Sequence, residues 1–72
     1  MEPKEFMALK RDYESSLDPK WDDAFTKKTL DNIVQSIQLG KYTLNDFYDF
    51  VKANLEEGDF AWGCWHYVRD RV

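Results

Sequence analysis

The chain has one cysteine, one histidine, two prolines and three glycines in 72 residues, and its longest apolar runs span only a few positions. Each scarcity excludes something. The lone Cys64 cannot form an internal disulfide, and a single free thiol points to a reducing compartment. One cysteine and one histidine fall short of the four such ligands of a structural zinc site. The scattered Gly40, Gly58 and Gly63 form no phosphate-cradling loop. Neither Asp18–Asp23 nor Glu56–Asp59 places oxygen ligands around a glycine at calcium-loop spacing. The short apolar runs leave no candidate membrane span. The opening Met1-Glu2-Pro3-Lys4-Glu5 lacks the basic region and apolar core of a signal peptide. The expectation is an intracellular, cytoplasmic protein with no metal, no cofactor and no membrane association.

Positive charge is also short: 14 acids face 10 bases, a net charge of −4. That balance argues against a general binder of nucleic acid or anionic membrane, which needs excess Lys and Arg. At 43% hydrophobic residues the chain is too apolar for disorder. Its length predicts a single helical domain over 1–72, small enough to have little surplus stability. Dense aromatic packing is one remedy available to such a domain, and aromatics make up 17% of this chain.

Helical periodicity predicts an all-α fold, a compact bundle of three or four short helices with no convincing strand. The first helix is predicted from about Pro3 to Leu17, with Phe6, Leu9, Tyr13 and Leu17 in one stripe. The second begins at Asp18 or Asp22 and ends near Leu39, with Asp18 and Pro19 suited to its start and Gly40 to its stop. Leu30, Ile33, Val34 and Ile37 share its face, while Trp21 and Phe25 fall more than a quarter-turn away. Either the segment breaks near Thr26 or another element covers its first turns; the second alternative is preferred. Thr43 and Asp46 frame a capping box for the third helix. Its buried face is read as Leu44, Phe47, Tyr48, Val51 and Leu55, and Glu56-Glu57-Gly58 closes it. Those two acids would oppose the dipole of a last turn. The fourth helix starts at an Asp59 N-cap and carries Phe60, Ala61, Cys64, Trp65, Val68 and Val72 on one side. Gly63 marks a close neighbour or a kink. The expected core is Phe6, Leu9, Tyr13, Leu17, Leu30, Ile33, Val34, Ile37, Leu44, Phe47, Val51, Leu55, Cys64, Trp65 and Val68.

Catalytic constellations are lacking. Cys64 and His66 are the one thiol–base pair, and two positions apart on a helix they point in nearly opposite directions. The pairs Asp46/Asp49 and Asp22/Asp23 would need a cleft to shift a carboxyl pKa, and short helices leave little room for one. The expected role is therefore non-enzymatic.

Residues 60–67 hold four aromatics, Phe60, Trp62, Trp65 and Tyr67, more than one helix face can bury. Trp62 falls outside the apolar arc, among His66, Arg69 and Asp70. Phe50 lies about a third of a turn from the centre of its own apolar face. Large aromatics on polar faces are typical interface anchors. The expected partner-binding site combines Phe50 and Trp62 with Asp46, Asp49, Glu56 and Glu57, flanked by His66 and Arg69. The partner is another protein, and the module a regulator, inhibitor or accessory subunit. One alternative is an acidic mimic of nucleic acid that blocks a basic protein, from the five acids Asp46, Asp49, Glu56, Glu57 and Asp59. Another is self-association as a homodimer. Lys27, Lys28, Arg69 and Arg71 with Trp62 would make only a small basic–aromatic patch for nucleic acid.

Overall fold

The computed structural model describes residues 3–72; Met1 and Glu2, the start of the acidic opening, lie outside them. The described residues form an all-α bundle of four helices: α1 Lys4–Ser15, α2 Ala24–Gln38, α3 Leu44–Asn54 and α4 Asp59–Arg71. Each boundary has a local cause. The Asp23 carboxylate accepts the Phe25 N–H at 3.2 Å and caps α2. At the other end, Gly40 takes φ +81°. Its N–H reaches the Ile37 carbonyl, and the Lys41 N–H reaches that of Ser36, each at 3.0 Å. This paired closure of a helix end uses the left-handed conformation that glycine adopts without a Cβ penalty. Thr43 and Asp46 form the full capping box of α3, with reciprocal bonds of 3.1 and 3.0 Å.

The helices pack in a closed order: α1 on α2, α2 on α4, α4 on α3, and α3 back on α1. Phe6, Leu9, Leu30, Ile33, Phe47, Cys64 and Val68 are almost fully enclosed at the centre. Tyr13, Ile37, Leu44 and Trp65 pack half-buried around them. Thr26 is also fully buried, its hydroxyl donating to the Asp12 carboxylate at 2.7 Å across the α1–α2 contact. No buried side-chain nitrogen or oxygen among the described residues lacks a partner.

Several expectations are corrected. Leu17 is fully exposed rather than core. The backbone turns extended at Ser16, so Leu17 leaves the stripe that its spacing suggested. α2 begins at Ala24, capped by Asp23 rather than Asp18, so Trp21 precedes the helix. The phase conflict disappears: Trp21 sits in a turn, and Phe25 is 54% exposed on the first turn of α2. α3 stops at Asn54, with Leu55 extended. Glu56 and Glu57 therefore lie in the connection ahead of α4, where the helix dipole favours negative charge. Gly58, not Asp59, is the N-cap position of α4. Gly63 is explained by a close neighbour, although the neighbour is a side chain: a Cβ there would overlap Cγ, Cδ1 and Nε1 of the Trp21 indole.

Candidate functional site

The short connection between α3 and α4 sets the two helices side by side and leaves a groove between their outer flanks. Tyr48, Val51, Lys52 and Leu55 come from successive turns of α3 and its C-cap. Glu57 comes from the connection, and Ala61, Trp62 and Trp65 from α4. The buried Val51, Leu55 and Ala61 form an apolar floor. The Tyr48 and Trp65 rings meet at 5.0 Å, centroid to centroid. The Lys52 ammonium lies 5.4 Å from the Tyr48 ring centroid, within cation–π range. Trp62 is 43% exposed. The groove encloses about 280 Å³, slightly under the range of small-molecule pockets, about 300–1,000 Å³.

Of the residues expected to bind a partner, only Trp62 and Glu57 share this groove. Phe50 is not an exposed anchor: it is buried, 4% exposed, and stacked on Phe6 with centroids 4.7 Å apart. The reason is that α1 packs against the flank of α3 that the apolar arc left open. Asp46 and Asp49 line a second, wider groove on that flank with Pro3, Phe6, Tyr42 and Phe50. Both carboxylates have local bonds, Asp46 to the Thr43 N–H and Asp49 to the Asn45 amide at 3.4 Å. Glu56 is exposed outside either groove. His66 neighbours Trp62, with ring centroids 6.3 Å apart. It also lines a cleft on the other side of α4 with Trp21, Lys27, Tyr67 and Arg71. Arg69 is exposed and pairs with Asp70 at 3.6 Å.

Three titratable groups of the described residues are shifted upward from their ordinary values. Burial, reinforced by the Asp12 charge, pushes the Cys64 thiol up to about 12. Burial also pushes the Tyr42 phenol up to about 12, with Glu5 accepting from its hydroxyl at 3.3 Å. The Tyr67 hydroxyl donates to Asp31 at 2.6 Å, which raises its pKa. The Arg71 guanidinium lies 3.5 Å from the Tyr67 ring centroid. No cluster of three or more His, Cys, Asp or Glu among the described residues is placed to hold a metal ion. No helix of these residues is long and apolar enough to cross a membrane.

Sequence reasoning assigned Tyr48 and Trp65 to the interior and gave Lys52 no role. The available signal was their position: each aromatic stands at the margin of its apolar arc, on two helices joined by a short connection. No protein-family model matches the chain, and comparison with curated proteins and with solved structures returns no significant match.

Proposed function

We propose that this chain is a non-enzymatic protein-binding module, a small regulator, inhibitor or accessory subunit, which docks its partner in the α3–α4 groove with Trp62 as the anchor. The observation that carries this reading is Trp62 itself, 43% exposed beside an apolar floor. Leaving so much indole in water forgoes burial worth about 25 cal/mol per Å². Tryptophan is also among the residues enriched at interface hot spots. The test is capture from native extract of the source organism with wild type, Trp62→Ala and Phe25→Ala. Phe25 supplies the control because it is an exposed aromatic elsewhere. A protein retained by wild type and Phe25→Ala but lost with Trp62→Ala is the expected result. Equal capture by all three removes the groove as the docking surface.

Self-association is a second reading, favoured by the exposure of Met7 and Phe25 on α1 and α2, 41% and 54%. It requires a solution mass of twice 8.6 kDa, and a monomer at high concentration in light scattering removes it. The nucleic-acid-mimic reading has less support, since Asp46 and Asp49 line one flank of α3 and Glu57 belongs to the other.

A further inference from the structure

Granting that the groove docks a protein, its lining defines what enters it. The space is about 280 Å³, enough for one long side chain and its backbone rather than a helix. Three aromatic side chains, Tyr48, Trp62 and Trp65, line it above the aliphatic floor. Glu57 is its one carboxylate, and among the described residues Glu57 takes part in no ion pair. Glu56, exposed, is its neighbour in sequence, and Asp59, also exposed, follows two positions on. The one cation of the lining is Lys52, and its ammonium lies 5.4 Å from the Tyr48 ring centroid. An aromatic wall of this groove thus already faces a positive charge from the chain itself. An exposed lysine on a flexible stem is a weakly held occupant, since a solvated cation–π contact is among the weaker side-chain interactions.

We infer that the α3–α4 groove receives a cationic side chain, arginine or lysine, from a basic segment of the partner. The aliphatic stem lies on Val51, Leu55 and Ala61, the charge meets the aromatic rings, and Glu57 supplies the counter-charge. Lys52 is the internal competitor that the incoming cation displaces. Arginine fits best, because its planar guanidinium stacks on aromatic faces and still forks toward a carboxylate. The chemistry is complementary to a chain of net charge −4.

The probes are Nα-acetyl-arginine amide, its lysine counterpart, the neutral isostere Nα-acetyl-citrulline amide and the apolar Nα-acetyl-leucine amide. Each is titrated into the isotope-labelled protein while the three indole N–H resonances are followed. The arginine probe should shift the Trp62 and Trp65 resonances saturably in the millimolar range, leave Trp21 in place, and bind at least about fivefold more tightly than citrulline. Glu57→Gln should weaken it about two- to fivefold. Lys52→Met, which keeps the stem and removes the charge, should strengthen it. Equal binding of citrulline or leucine overturns the cation inference and leaves the groove as an apolar docking site. Weaker binding to Lys52→Met overturns it as well, by making Lys52 part of the receiving surface. If no probe moves either indole up to about 100 mM, the cation inference falls, and the capture comparison decides the docking reading separately.

Discussion

Phe50 and Trp62 both stand off the apolar arcs of their helices, and their surroundings assign them opposite roles. Phe50 is enclosed by Phe6 and Phe47, so Phe50→Ala should cost about 3–5 kcal/mol of stability. For a chain this small that is a large part of the total, and chemical denaturation will show it. Trp62→Ala should shift the same midpoint by clearly less, the equivalent of about 1–2 kcal/mol, because nearly half of that residue already faces water. Comparable losses at both residues would return Trp62 to the core. Cys64 has a separate test. With its thiol enclosed and its pKa raised to about 12, alkylation at pH 8 should proceed only as fast as the protein opens. Adding denaturant should accelerate it by orders of magnitude. The central residues Leu9, Leu30, Ile33 and Phe47 were legible in the sequence, because a 3.6-residue period marks the face that meets the core. Phe50 was not. Periodicity finds an apolar face, but it does not count how many neighbours a helix has, and α3 is packed by α1 as well as α4.

Among the elements, α4 has the least uniform apolar face, and one glycine accounts for its contact with the Trp21 turn. In most helix interiors Gly→Ala gains about 1 kcal/mol. Gly63→Ala should instead destabilise by about 1–3 kcal/mol, because the new methyl overlaps the Trp21 indole and overpacking forces displacement. In a Trp21→Ala background the same substitution should become stabilising by up to about 1 kcal/mol. A thermodynamic cycle of the four proteins measures this reversal, and additive effects would refute the contact. The capping box of α3 offers a simpler check: Thr43→Ala should cost about 1 kcal/mol. That box was readable from Thr43 and Asp46 alone, since its bonds join residues three apart. The start of α2 was not. Asp18, Asp22 and Asp23 all suit an N-cap, and the placement of Trp21 against α4 depends on a residue far along the chain.

Taken whole, the described residues include three groups whose neutral forms the fold favours. Cys64 and Tyr42 are raised to about 12 from 9.0 and 10.0, and Tyr67 is raised by its bond to Asp31. In each case the native state keeps a proton that the unfolded chain releases at lower pH. Their contribution is complete below about pH 9 and is lost as pH rises toward 12. Denaturation midpoints should therefore fall progressively between pH 9 and 11, and a flat profile would contradict the burial of Tyr42 and Cys64. At this scale the bundle was foreseeable, while the groove was not. Tyr48 and Trp65 carry the same periodic signature as core residues, and only the placement of α3 beside α4 turns them into walls. Trp62 was recognisable as an outlier because no rotation of α4 buries it together with Cys64 and Val68.

The indole of Trp21 gains its seat only once α4 has arrived, so its emission reports a closure between distant parts of the chain rather than the formation of any single helix. In stopped-flow refolding, a protein keeping Trp21 as its sole tryptophan should light up the non-local step that sets the speed of folding. Circular dichroism on the same samples would date the helices. A lag between the two signals would measure how long the bundle waits for its last piece.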